Sequence, residues 1–250
     1  MQFWIELVLL NGFFGFMTAF SGNFIGGAAS FFIKDRNMRM KGAILGFLGG
    51  LTLGIVFFDL LPEALVFGSI ETAMAGTIIG LFLAVLIDGK LESHETGHQG
   101  QNGNHFFKAM VLMAIGVGIH NLPSGLALGS LLANSPKNGF YLAIALILHG
   151  IPEGLTLGVF LRECRGNILN LVLISILISL PMGLGSALGG ILRTPFILCF
   201  SLSFAGSMIL YVTLRETLPA ANSLWPGRLT TIGNVLGILL GMLLITILAI

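Results

Sequence analysis

Apolar residues run for about 20 positions or more at a time along this chain, the length a helix needs to cross a hydrocarbon core. Short polar or Gly/Pro-containing breaks separate the runs. Their spacing predicts eight spanning helices, over about 3–33, 42–67, 71–88, 107–134, 139–162, 168–193, 196–221 and 230–250. The fold class is therefore all-α, a polytopic membrane protein. The first run is longer than one crossing requires, and its Asn11, Ser21-Gly22-Asn23 and Gly26-Gly27 predict tilt, close helix packing or a break.

Composition sharpens this picture. Charged residues make up 9% of the chain and its mean hydropathy is +0.97, whereas a soluble domain carries about 25% charged residues. No stretch remains for a soluble domain of useful size, so residues 1–250 are read as a single transmembrane domain. A net charge of +1 argues against nucleic acid as a partner. Cys164 and Cys199 are far apart and form no CxxC pattern, so both read as small apolar residues. No Lys or Arg precedes the first apolar run, which makes a poor signal peptide and predicts a retained helix.

Loop charge predicts orientation. Lys34, Arg36, Arg39, Lys41, Lys90, Lys108, Arg162, Arg165 and Arg228 fall on one side, against Lys137 and Arg193 on the other. Basic loops stay cytoplasmic, so both termini are expected outside and the 88–106 loop inside. That loop is polar and Gly-rich, which predicts flexibility. It contains His94, His98 and His105, readable as loose metal capture or as a solvated linker that happens to hold histidines.

Two internal echoes follow. His120-Asn-Leu-Pro-Ser-Gly-Leu-Ala-Leu-Gly129 and His149-Gly-Ile-Pro-Glu-Gly-Leu-Thr-Leu-Gly158 share His, Pro and the Gly/Leu frame on adjacent, antiparallel spans. At a constant offset of 157, Phe47, Gly49, Leu53, Asp59, Leu61, Pro62 and Ala64 correspond to Phe204, Gly206, Leu210, Glu216, Leu218, Pro219 and Ala221. The pattern predicts a 3+2+3 inverted repeat, spans 1–3 against 6–8 around spans 4 and 5. Many secondary transporters build a midplane substrate site in this way.

The paired motifs carry the candidate chemistry. Ionisable groups in the middle of spans face the bundle interior and mark function by default. Residues four apart share a helix face, so His120 points with Ser124 and His149 with Glu153. Two imidazoles, a carboxylate and a hydroxyl can then meet at one point, which resembles an open zinc arrangement. Imidazole also suits iron, copper and nickel. Pro123 and Pro152 each free a carbonyl four residues earlier, beside each histidine. The competing reading is a pair of histidines that bridge helices by hydrogen bonds. Elsewhere, Asp59, Glu63 and Glu216 read either as marks along a cation path or as helix-end caps, with Arg215 available to pair an acid.

HNLPSG and HGIPEG resemble the paired signatures of the ZIP family of metal transporters, bacterial type. GFLGG…FFDLLPEA on span 2 and FAGSMILYVTLRETLPA on span 7 extend the resemblance over essentially the whole chain. It implies a transporter in the plasma (inner) membrane, moving zinc or a related divalent ion (iron, manganese or cadmium) into the cytosol down its gradient or by an elevator-like motion. His120, His149 and Glu153 would be ligands, and Asn121 matches a position that can serve a second metal. The implied partners are divalent ions and the lipid bilayer, with room for a homodimer, and no cofactor is tightly bound. The chain departs from the pattern at Ser124, where a Glu is expected, at Gly150, and at Met182, where bacterial relatives often carry Glu. Those departures predict one metal per site rather than two. The runner-up reading is an intramembrane zinc-dependent hydrolase, for which no HExxH motif is present.

Overall fold

The computed structural model describes residues 2–33, 37–95, 102–189 and 195–248, and the described residues are helical with no strand. Helix α1 spans Gln2–Ser30. Helices α2 (Met38–Ile55) and α3 (Leu61–Phe67) form one rod joined by a π turn, Val56–Leu60. There follow α4 (Ile70–Glu95), α5 (Asn102–Asn134), α6 (Pro136–Glu163) and α7 (Ile168–Gly189). A second broken rod consists of α8 (Pro195–Val212), a π turn at Thr213–Thr217, and α9 (Leu218–Leu224), and α10 (Arg228–Leu248) closes the chain. Eight of these rods are long and apolar enough to cross a membrane.

The observed rods follow the predicted spans to within a few residues, with one correction. The 88–106 segment was expected as a flexible polar linker, but α4 continues to Glu95 and α5 begins at Asn102. Helical propensity of Lys90, Leu91 and Glu92 carries the rod beyond its apolar part. His94 and His105 stand in these helix ends. His98, and the side chains of His94 and His105, lie outside the described residues.

The two π turns have one physical cause. Pro62 and Pro219 lack an N–H and would clash with the carbonyl four residues earlier. One extra residue in the preceding turn removes the conflict. Leu61 N–H accordingly reaches back to Val56 O, and Leu218 N–H to Thr213 O.

The rods sort into two bundles. Helices α1, α5, α6 and α7 pack on one another, and so do α2–α4 with α8–α10. Within each bundle, glycines let backbones meet. A Cβ on Gly154 would enter the space of Asn23 O, one on Gly26 that of Ile151 O, and one on Gly50 that of Asn234 O. This is the small-residue packing that replaces the hydrophobic effect between helices in lipid. Across the boundary, Gly116 of α5 faces Ile209 of α8 at an ordinary 3.7 Å from its would-be Cβ. Large side chains such as Phe13, Phe82, Ile78, Leu177 and Leu184 point outwards, as a lipid-facing surface requires. Thr18, Thr52, Thr156 and Ser203 satisfy their hydroxyls on carbonyls four residues back, as polar groups without water must.

Candidate metal centre

The centre lies where α5 and α6 face each other in the first bundle. His120 and Glu153 are almost wholly buried, 2% and 3% exposed, in helices that contain Pro123 and Pro152. The imidazoles of His120 and His149 stand 5.2 Å apart, centroid to centroid, with planes inclined by 38°. His149 Nε2 is 3.6 Å from Glu153 Oε1, one turn along the same face. One ligand atom from each of His120, His149 and Glu153 falls within 4.8 Å of the others. The repeated motifs therefore do converge, with imidazoles from both helices and the carboxylate from α6.

Ser124 joins this face: its Oγ is 3.5 Å from His120 Nε2 and also donates to the His120 carbonyl oxygen at 3.2 Å. His120 Nδ1 is buried and makes no hydrogen bond. A buried nitrogen with no bond is expensive unless something else occupies its lone pair. A set of two imidazoles, one carboxylate and one hydroxyl oxygen is chemically suited to a borderline divalent cation.

The other predicted residues divide. Asn121 is buried and donates its amide to Ile178 O on α7 at 2.7 Å, so it braces α5 against α7. Met182 is buried in α7 and its carbonyl packs against Gly125 and Gly15. Asp59 and Glu63 lie half-buried, one turn apart, at the π turn and the start of α3. Glu216 occupies the matching position in the second π turn, 1% exposed, with its Oε1 3.6 Å from Lys108 Nζ.

Sequence reading missed the partners of Glu216. Lys108 Nζ lies 2.5 Å from Asp88 Oδ1, while Tyr211 Oη donates to Asp88 Oδ2 at 2.5 Å and Arg215 Nε stands 3.4 Å from it. Lys41 Nζ and Glu163 Oε1 form a second pair at 2.6 Å. Lys41 and Lys108 count as loop charges for orientation, although Asp88 and Lys108 fall at the very ends of the predicted spans 71–88 and 107–134. The available signal was that all of them fall within the first or last turns of spanning helices.

A family model described as ZIP zinc transporter matches residues 85–249, which includes the whole of this centre. The chain belongs to the ZIP family. Curated relatives agree. A protein named zinc transporter ZupT from Nitratidesulfovibrio vulgaris is 27% identical over 249 residues, covering 87% of this chain and 90% of its own. ZupT proteins of Corynebacterium aurimucosum and Chlorobaculum parvum are 28% and 29% identical, covering 88% and 86% of this chain, and 87% and 89% of theirs. ZIP proteins are transporters rather than enzymes, so the hydrolase reading falls. As a ZIP member with eight apolar rods, the chain is a multi-pass membrane protein that transports metal.

Proposed function

We propose that this chain, acting as one domain over residues 1–250, moves divalent metal ions into the cytosol through the centre between α5 and α6. Zinc is the first candidate, with iron, manganese and cadmium as competitors. The observation that carries the reading is the convergence within 4.8 Å, on facing helix surfaces, of His120 and Glu153, which are buried, and His149, which is partly buried. Zinc as substrate also matches the names of the relatives. The charge bias supports the orientation, since basic residues gather on the side of the α1–α2, α4–α5 and α6–α7 connections. With that side cytoplasmic in the plasma membrane, both termini lie outside, Asp59 and Glu63 mark the outer approach to His149, and Glu216 lies towards the cytoplasm. The purified protein in zinc-free liposomes is expected to accumulate external zinc. Vesicles no leakier to zinc than protein-free controls would refute the proposal.

The 3+2+3 repeat belongs to the same proposal, and local packing supports it. Exchanging spans 1–3 with 6–8, and 4 with 5, exchanges close approaches residue for residue. Gly154 against Asn23 O becomes Gly125 against Met182 O, and Gly158 against Gly27 O becomes Gly129 against Ser186 O. Gly76 and Gly80 against the carbonyls of Phe200 and Phe204 become Gly233 and Gly237 against those of Ala43 and Phe47. The π turns at Val56–Leu60 and Thr213–Thr217 fall at the same offset as the sequence echo.

The site is asymmetric and holds one ion, because α5 contributes His120 with a neutral hydroxyl where α6 contributes His149 with a carboxylate. Asn121 is turned to α7 and Met182 supplies no charge, which supports a mononuclear site. Ser124→Glu is therefore expected to tighten zinc binding at least about tenfold, the equivalent of 1.4 kcal/mol. Isothermal titration of the detergent-solubilised protein measures this, and unchanged affinity in a variant that stays folded would count against the asymmetry.

A further inference from the structure

We propose that Lys41–Glu163 and the Lys108–Asp88–Glu216 cluster form a latch that holds the two bundles closed on the side of the basic connections, and that this side opens only when those ion pairs break. The inference names residues of the transport cycle, so it rests on the transporter reading, although its test does not use metal flux.

The packing defines what can move. Each bundle is knit internally by glycine-mediated backbone contacts, whereas across the boundary side chains meet: Gly116 faces Ile209 at van der Waals distance, and Leu45, Val212 and Ala220 of the second bundle pack with Met113 and Phe160 of the first. Two bodies of this kind separate more easily from each other than either comes apart. The three candidate ligands belong to α5 and α6 of the first bundle, while Asp59, Glu63 and Glu216 belong to the second. An ion leaving the ligands towards Glu216 must therefore pass along the boundary.

The ion pairs cross that boundary. Lys41 comes from α2 in the second bundle and Glu163 from α6 in the first. Lys108 comes from α5 in the first bundle, and Asp88 and Glu216 from α4 and the second π turn in the second. The polarity is reversed between the two contacts, so together they fix register as well as distance. Lys41, Glu163, Asp88 and Lys108 stand in end turns of their spans on one side of the bilayer.

The chemistry suits a reversible contact. Lys41 and Lys108 are buried, although an end-turn lysine can ordinarily extend its ammonium to water. Their attraction to the carboxylates is offset by lost hydration. Parting the bundles at this edge would return that hydration, so the contact can open without stranding a charge in lipid.

Val159 lines the small cavity beside the Lys41–Glu163 pair, together with Ile33, Ile44 and Arg162, and so reports on this edge. In nanodiscs, with Cys164→Ser as background, Val159→Cys is expected to react slowly with a water-soluble thiol reagent. Adding Lys41→Met or Glu163→Gln should raise the rate about tenfold, the factor that corresponds to 1.4 kcal/mol. The charge swap Lys41→Glu with Glu163→Lys should bring it back towards the parent rate. Cys199, buried against Gly68 in the second bundle, should stay slow throughout and so exclude general unfolding. Unchanged labelling in both single variants would overturn the latch, as would a swap that labels as fast as they do. If Val159→Cys does not fold, hydrogen exchange over 156–163 in the same charge variants provides the comparison. Failure of zinc uptake by the wild type would overturn the transporter reading without altering these rates.

Discussion

Glu153→Gln is expected to reduce zinc uptake into liposomes more than about 100-fold, beyond the 10–100-fold that losing a mere outer-shell partner costs a metal site. The amide keeps the size of the side chain and can still hydrogen-bond His149, so the helix interface is preserved. What disappears is the only negative charge in the ligand group His120, His149 and Glu153. A dication leaving water for a buried site needs that charge, because two neutral imidazoles return too little of its hydration energy. His149→Ala is expected to be equally damaging, since it removes a ligand and the partner 3.6 Å from Glu153. Protein content and thermal stability of each variant in detergent separate lost transport from lost protein. Equal uptake by wild type and both variants would remove this centre from the transport path.

The second large effect is structural. Gly154→Ala would place a methyl group inside the space of the Asn23 carbonyl oxygen, a backbone atom that cannot swing aside. Helices α1 and α6 must then move apart, and the neighbouring Glu153 moves with α6. Overpacking of this kind costs about 1–3 kcal/mol, which a lowered unfolding temperature in detergent would report. Gly89→Ala is the control, because a Cβ there meets nothing within 4 Å, and since the position is helical its unfolding temperature should equal or exceed that of the wild type. A Gly154→Ala protein as stable as the control would mean that the α1–α6 contact is looser than described.

Much of this molecule is legible in the sequence because lipid imposes strict rules. Run length fixes the spans, since every backbone group in hydrocarbon must be satisfied within a helix. Repetition exposes the centre, since His120 and His149 recur with the same Pro and Gly frame on antiparallel helices. The direction of a polar side chain within its bundle is less legible. Asn121 follows His120 in sequence, yet it points to Ile178 O on α7, because successive helix residues diverge by about 100°. Nor could spacing show that Lys108 and Lys41, counted as loop charges for orientation, turn inwards to acids on the other bundle. Such pairs join residues far apart in the chain, and no local pattern records them. The π turns fall between: Pro62 and Pro219 announce a disturbance, and only the backbone reveals that it is absorbed by one widened turn rather than a break.

The central claim is that one ion is held by His120, His149 and Glu153 with no sulfur ligand. X-ray absorption spectroscopy of the purified protein loaded with zinc tests it most directly. The expected spectrum shows nitrogen and oxygen neighbours at about 2.0–2.1 Å, with the outer-shell scattering of two imidazoles. A sulfur neighbour near about 2.3 Å, or an all-oxygen shell without imidazole scattering, would contradict it.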